Sequence, residues 1–241
     1  MTVRVGSTER TKSVGAGFAG AGAGITVLKV GGASTGGVAE AVAAFDEPVC
    51  VVHGAGPQIS EEMARRGLVP EFVGGRRVTT PEVLEVVRES FAAVSAAVCA
   101  AIGARAVPLA GDEIGLEAEL LPHLGLVGKP KPSAPRAVLD ALASGFVPVV
   151  SPLARGPLNV NADEMASALA VGIGAGRISF LTDVPGVYRN GELMHTIQAD
   201  SAETLVEGGV FDGGIVPKLL AAALAAKNGV AADIGVTAVV A

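Results

Sequence analysis

Two lysines in this chain sit where a lysine needs a reason. Lys29 lies within the apolar run Ile25–Val30 and is followed at once by Gly31 and Gly32, while Lys218 follows the paired glycines of Gly213-Gly214-Ile215-Val216-Pro217. An ammonium in an apolar strand is costly unless an anion meets it, and glycines let backbone N–H groups approach phosphate oxygens closely. Taken singly, each lysine also fits a stem that carries its charge into water beside an ordinary turn. A second glycine turn, His53-Gly54-Ala55-Gly56-Pro57, opens a helix near Gln58, whose amino terminus offers unpaired N–H groups and a favourable dipole for an anion. In Asn159-Val160-Asn161-Ala162-Asp163 the alternation sends both amides to one side and leaves Asp163 at a helix entry. Simple capping accounts for that run, and so does an acid that orients lysines. The run Gly74-Gly75-Arg76-Arg77-Val78-Thr79 supplies a guanidinium able to grip a carboxylate in bidentate fashion.

The elements that must position these groups are legible from periodicity. Apolar, mostly β-branched runs at Ile25–Val30, Val49–Val52, Ala106–Leu109, Phe146–Val150 and Ile178–Leu181 predict buried parallel strands. Helical spacing over Val38–Phe45, Ile59–Arg66, Pro81–Ile102, Ala134–Ala143 and Ala162–Ile173 alternates with them. The fold expected is α/β, a three-layer αβα sandwich around a mainly parallel central sheet, with ligands outside the carboxyl ends of the strands. Asn190-Gly191 predicts a tight hairpin within Val187–His195. The long Pro81–Ile102 helix carries an apolar stripe of Val83, Val87, Phe91, Val94 and Val98, widened by Leu84, Val86 and Ala92. That width suits either a second subunit or burial inside the monomer.

There is no GxxxxGK[ST] loop and no GxGxxG in a strand-to-helix setting. Taken in order, however, LKVGG, HGAG, GRRVT, NVNAD, TDVPGV and GGIVPK resemble the amino acid kinase family, and within it the N-acetylglutamate kinases, over residues 25–220. The resemblance implies an acyl-acceptor lobe over about residues 25–155 and an ATP lobe over about 156–241. It implies ATP-dependent phosphorylation of the γ-carboxylate of N-acetyl-L-glutamate in arginine biosynthesis, with Mg²⁺ carried by the nucleotide. Lys29 and Lys218 then match the lysines of the transition state, and Asp163 the acid that holds them. Ala55, Gly56, Arg77, Asn159 and Asn161 match substrate-binding positions. Gly31, Gly32, Gly54, Asp183, Val184, Pro185, Gly186, Val187, Tyr188, Val210, Phe211 and Asp212 match phosphate- and nucleotide-contacting positions. A carboxylate acceptor is ionised at neutral pH, with an ordinary pKa near ~4.3, so the chemistry needs no general base. Competing readings are a longer N-blocked acceptor such as N-acetyl-aminoadipate, and an inactive nucleotide-binding paralogue.

The chain departs from the family's pattern in four places. Ala55 replaces a glycine of the second turn, the segment from Asp112 to Lys131 is compact where the family forms a lid over the acceptor, and the run beyond Lys218 is short enough that a final helix and strand are expected to be missing or altered. The leader, residues 1–24, is rich in Gly and Ala, which disfavours the amino-terminal helix that joins arginine-inhibited members into hexamers. The expectation is a homodimer insensitive to arginine.

Composition bounds the rest. The 241 residues are 50% hydrophobic and carry a formal charge of −6, without basic runs interleaved with aromatics, which argues against nucleic acid as a partner. The most apolar stretch, Phe91–Ala104, falls short of the ~20 residues that span a bilayer. Cys50 and Cys99 stand far apart among apolar neighbours, which fits a reducing cytoplasm and no protein-held metal.

Overall fold

The computed structural model describes residues 24–32 and 35–241. The expected leader therefore lies, up to residue 23, outside the described residues, and so does the expectation about arginine that rests on it.

The chain runs through β1 (Thr26–Val30), α1 (Val38–Ala43), β2 (Val49–His53), α2 (Gly56–Arg65), a hairpin of β3 (Phe72–Val73) and β4 (Arg76–Arg77), and the long α3 (Pro81–Ile102). Next come β5 (Ala106–Ala110), β6 (Ala118–Leu120), β7 (Val127–Pro130), α4 (Arg136–Ala143), β8 (Val147–Ser151), β9 (Leu153–Ala154) and β10 (Leu158–Val160). The final part is α5 (Ala162–Gly172), β11 (Arg177–Phe180), a hairpin of β12 (Tyr188–Arg189) and β13 (Glu192–Leu193), β14 (Thr196–Gln198), α6 (Ala199–Glu207), α7 (Ile215–Lys227), β15 (Ala231–Ile234) and β16 (Thr237–Val240). The five strands and five helices expected from periodicity all form, with ends shifted by up to three residues. The Asn190-Gly191 hairpin forms as well, with both residues at positive φ, 52° and 82°.

Eight strands make the central sheet in the order β14-β16-β15-β11-β1-β2-β8-β5. Its pairs are parallel except for β15 with β16. β1 is the pivot. Strands from the first part of the chain, β2, β8 and β5, extend to one side of it, and β11, β15, β16 and β14 extend to the other. Strand order reverses at β1, and the crevice beyond the carboxyl end of such a strand is where this class of sheet binds ligands. Lys29 sits there, paired in register with Val52 on one side and Phe180 on the other.

Strand parity then decides which way each side chain points. Val27, Cys50, Val52, Ile178 and Phe180 pack in one cluster with residues of α4, α5 and α7, whereas Leu28, Val30, Val49, Val51 and Val149 pack with α1, α2 and α3. Lys29 shares the face of Val27 and so turns toward α5. His53 shares the face of Val49 and Val51 and stands edge-on to Phe91 of α3, ring centroids 5.9 Å apart. On α3 the residues Val83, Leu84, Val86, Val87, Phe91, Val94 and Val98 are buried. Ala92 is exposed, so the wide stripe is narrower than its sequence suggested.

One expectation fails, and one departure from the family's pattern finds its reason. The short run beyond Lys218 holds the rest of a thirteen-residue helix and two strands that complete the sheet, because Gly229 and Gly235, at φ 82° and 58°, reverse the chain without a long loop. The segment from Asp112 to Lys131 is not a lid over the cavity described below. Its β6 and β7 are consumed in a separate four-stranded sheet, ordered β6-β7-β10-β9, and only Val127 of this segment reaches the cavity.

Burial lowers the pKa of His53 from 6.5 to about 4, so at neutral pH the ring is uncharged. The unfolded chain binds this proton in the window between those values and the folded chain does not, so the native state loses stability as pH falls through it. In His53→Leu the stability difference from the parent, read by urea unfolding, is expected to shift in the variant's favour by up to about 3 kcal/mol between pH 7 and pH 4. Asp233, raised to about 6 by burial, acts in the opposite sense but is common to both proteins and cancels. A difference that does not vary with pH contradicts the assignment.

Candidate active site

A cavity of about 620 Å³ opens at the carboxyl ends of β1, β2 and β11. Three helix amino termini converge on it: Gly56 and Pro57 of α2, Asn161 to Asp163 at α5, and Gly214, Ile215, Pro217 and Lys218 at α7 line its wall. Unpaired N–H groups and three dipoles of one sign make this a place for anionic oxygens.

The centre is Asp163. Its Oδ1 lies 2.8 Å from Lys29 Nζ and 3.8 Å from Lys218 Nζ. The side chains of Lys29 and Asp163 are almost wholly buried and that of Lys218 is 19% exposed. Parity sends Lys29 from β1 toward α5, and the cap of α5 brings Asp163 to meet it. Asn161 makes that cap, its Oδ1 accepting from the N–H groups of Asp163 at 2.9 Å and Glu164 at 3.2 Å. Lys218 arrives from the first turn of α7, where its Nζ also donates to Gly214 O at 3.3 Å. Burial pushes the pKa of Lys218 below the ordinary lysine value, with Asp163 opposing that shift and Lys29 adding to it. Two ammonium groups thus share one carboxylate, which leaves a net positive charge in a half-enclosed site.

The glycine turns follow the adjacent strands β1 and β2. Gly54 N–H donates to Val30 O at 2.9 Å, and Gln58 Nε2 donates to Gly32 O at 2.8 Å. A β-carbon on Gly32 would stand 2.6 Å from Gln58 Oε1 and 3.0 Å from Ala55 Cα, so the two turns touch only because residue 32 has no side chain. The methyl of Ala55 is buried in the α1–α3 side of the core, so it is absorbed there as well as bordering the cavity.

At the other end of the cavity lies Arg77. Its guanidinium is 4.5 Å from the Phe72 ring centroid, and its Nη2 donates to Ser60 Oγ at 2.8 Å and Gly56 O at 3.2 Å. Nη1 faces Met63 Sδ at 3.2 Å. Among the described residues it meets no carboxylate, although the residue is only 6% exposed and burial lowers its pKa. A buried cation held by neutral groups, open to a cavity, is suited to a carboxylate supplied from outside. Asn159 stands nearby on β10, Nδ2 donating to Thr79 Oγ1 at 3.0 Å, while Thr79 Oγ1 donates to Arg77 O at 2.8 Å.

Of the residues singled out from sequence, Lys29, Gly31, Gly32, Gly54, Ala55, Gly56, Arg77, Asn159, Asn161, Asp163, Asp183, Val184 and Lys218 border this one cavity. Pro185, Gly186, Val187, Tyr188, Val210, Phe211 and Asp212 do not. Val187 and Phe211 are buried in the core, and Val187 N–H donates to Thr237 Oγ1 at 2.9 Å, tying the turn to β16. Sequence reasoning missed Gln58, Ser60, Thr79 and Phe72. No spacing rule marks them, since each acts through a partner brought close only by the fold.

A model of the amino acid kinase family matches residues 24–235. The acetylglutamate kinase of Thermus thermophilus is 40% identical over 216 residues, 84% of this chain and 86% of that protein. The acetylglutamate kinase of Rubrobacter xylanophilus is 41% identical over 220 residues, 86% of this chain and 87% of that protein. Among solved structures, smu.665 from Streptococcus mutans superposes with a TM-score of 0.82 at 24% identity, over 90% of this chain and 98% of that one. Carbamate kinase from Giardia superposes with a TM-score of 0.67 at 16% identity, over 91% and 99%. At such identities the structures speak for the fold alone.

Removing the carboxylate in Asp163→Leu leaves the buried ammonium of Lys29 uncompensated and is expected to lower stability by about 3–5 kcal/mol in urea unfolding. Lys29→Met combined with Asp163→Leu is expected to recover a large part of that loss, because it removes both charges. A double variant as unstable as the sum of its singles contradicts the pairing.

Proposed function

The chain belongs to the amino acid kinase family, and from that membership we propose that it transfers the γ-phosphoryl group of ATP to the γ-carboxylate of N-acetyl-L-glutamate, the second step of arginine biosynthesis. The observation that carries this reading is the pair of lysines on Asp163 in one cavity with a carboxylate-free Arg77. One end suits a transferring phosphoryl group, and the other the α-carboxylate of the acceptor.

The reaction balances without a general base. A carboxylate oxygen of the acceptor attacks phosphorus, the bond from phosphorus to the bridging oxygen of the β-phosphate breaks, and ADP leaves with that electron pair. No proton has to move, in keeping with a cavity whose nearest histidine, His53, is neutral and turned to the opposite face. What the site must supply is a way for two anions to approach. Lys29 and Lys218 neutralise the equatorial oxygens, N–H groups of Gly31 and Gly32 add donors beside the backbone of Gly54, and Asp163 keeps the two ammonium groups from repelling each other apart. Arg77 grips the α-carboxylate, with Asn159 and Asn161 completing the acceptor end, and holding both partners in line supplies much of the remaining advantage. Mg²⁺ would enter on the nucleotide phosphates and offset their charge. No group of three or more His, Cys, Asp or Glu converges among the described residues to hold it otherwise. Asp183 and Val184 border the cavity beside Lys218, and the nucleotide continues from there along the segments Pro185–Tyr188 and Val210–Asp212.

The enzyme works as a homodimer in the cytoplasm on this reading. The dimer is supported by β5, an edge strand with a single neighbour, and by an exposed alanine face of α3 comprising Ala92, Ala93, Ala96, Ala97, Ala100 and Ala101. The two cysteines are free, and among the described residues no helix is long and apolar enough to cross a membrane.

With ATP, Mg²⁺ and N-acetyl-L-glutamate the protein is expected to form an acyl phosphate that hydroxylamine traps, and Lys218→Ala to lower kcat by roughly 10²–10³. No signal above an acceptor-free control removes the assignment. Because burial lowers the pKa of Lys218 in the free protein, kcat/KM should fall with rising pH from below the ordinary lysine value of about 10.4, as the ammonium is lost. Lys218→Arg should move that alkaline limb upward, and an unchanged limb excludes Lys218 as its source. Light scattering is expected to give twice the chain mass, with no response of the rate to arginine; a hexamer or inhibition overturns both.

A further inference from the structure

The hairpin that carries Arg77 is fastened to the start of α5 at two points. Asn161 Nδ2 donates to Gly75 O at 3.3 Å. Arg76 meets Glu164 fork to fork, with Nη2 2.7 Å from Oε1 and Nε 3.3 Å from Oε2. Both side chains are about a quarter exposed, 26% and 23%, so the pair is less screened than one on the open surface. Glu164 depends on it: burial raises the pKa of this carboxyl, and Arg76 is the main group that pulls it back down.

The sequence neighbours of this pair are the two ends of the proposed acceptor pocket. Arg76 precedes Arg77 on β4, and successive strand side chains point to opposite faces. With Arg76 turned to α5, Arg77 is left turned to α2, where it meets Gly56 and Ser60. Glu164 follows Asp163, whose Oδ1 holds both lysines. A contact between Arg76 and Glu164 therefore fixes the span between a guanidinium awaiting a carboxylate and the carboxylate that gathers the phosphoryl-binding ammonium groups. Apart from the contacts of Arg77 with α2, the hairpin is loosely held. Its strands are two residues long, and Phe72 and Val73 are 55% and 46% exposed. So small a two-stranded unit is marginal without support.

We infer that Arg76 and Glu164 are positioning residues that set the distance between the two ends of the acceptor site, and thereby select acceptors by the length of their carbon chain. The inference rests on the proposed reading of the cavity as an acyl-acceptor and phosphoryl site. With the hairpin pinned, an acceptor one methylene longer can satisfy Arg77 or the lysines in good geometry but not both. With the pin removed, the hairpin yields and the longer chain fits.

The test compares the parent, Arg76→Met, Glu164→Gln and the reversed pair Arg76→Glu with Glu164→Arg. Acyl phosphate formation is measured with N-acetyl-L-glutamate and with N-acetyl-L-2-aminoadipate, alongside hydrogen exchange of residues 72–77. The single variants are expected to speed exchange across the hairpin and to raise KM for N-acetyl-L-glutamate while KM for ATP stays within about twofold. Their kcat/KM preference for the shorter acceptor should fall by about tenfold, the scale of one methylene in a fitted pocket. The reversed pair should restore that preference. Faster exchange with an unchanged preference, or unchanged exchange, overturns the inference while the proposed reaction stands. A parent that phosphorylates neither acceptor removes the reaction itself, and the inference with it.

Discussion

A buried carboxylate shared by two ammonium groups is the constraint around which the rest of the structure is arranged. One charge pair at Lys29 and Asp163 would be an ordinary solution to a lysine in an apolar strand. The second lysine changes its character, because Lys218 at 3.8 Å gives the trio itself a net positive charge, with Asp183 a second carboxylate whose charge acts on Lys218. A site of this kind is stable enough to fold and is completed by an anion, and the three helix amino termini aimed at it favour the same sign of ligand. On the proposed reading, the energetic cost of keeping the cations together in the free protein makes them available to a phosphoryl group with little reorganisation.

The fold serves this trio by bringing distant parts of the chain to one strand end. β1 lies between strands from the two parts of the chain, so a side chain at its carboxyl end is adjacent to glycine turns from the first part and to helix starts from the second. Strand parity sorts the two titratable side chains at the ends of these adjacent strands. Lys29 falls on the α5 face and meets Asp163, whereas His53 falls on the α3 face and becomes a neutral core residue beside Phe91. An imidazole one residue from a glycine turn invites a catalytic reading, and parity alone removes it.

Much of this was legible in the residues, for physical reasons that also mark where legibility stopped. Lys29, Gly32, Gly54 and Asp163 announce themselves because each breaks a local rule: a charge in an apolar strand, a glycine where a strand passes to a helix, an acid just inside a capped helix. Gln58, Ser60 and Glu164 break none. Gln58 matters through Gly32, 26 residues away, and Glu164 through Arg76, 88 residues away, so their roles exist only after the chain has folded. Length was a poor guide at the carboxyl end, where two positive-φ glycines let a helix and two strands fit into a run that looked too short. Likewise the compact segment after β5 pairs with β10 into its own sheet, and the wall of the cavity is formed instead by the hairpin bearing Arg77.

On the proposed reading, Lys29 and Lys218 release part of their hold on Asp163 to a single transferring phosphoryl group. A crystal structure with ADP, Mg²⁺, N-acetyl-L-glutamate and aluminium fluoride tests it most directly. The planar fluoride is expected between the nucleotide and the acceptor γ-carboxylate, with Nζ of both lysines at hydrogen-bond distance, about 3 Å, from its fluorine atoms. A fluoride bound in line but contacted by neither lysine, or by one while the other stays on Asp163, contradicts it.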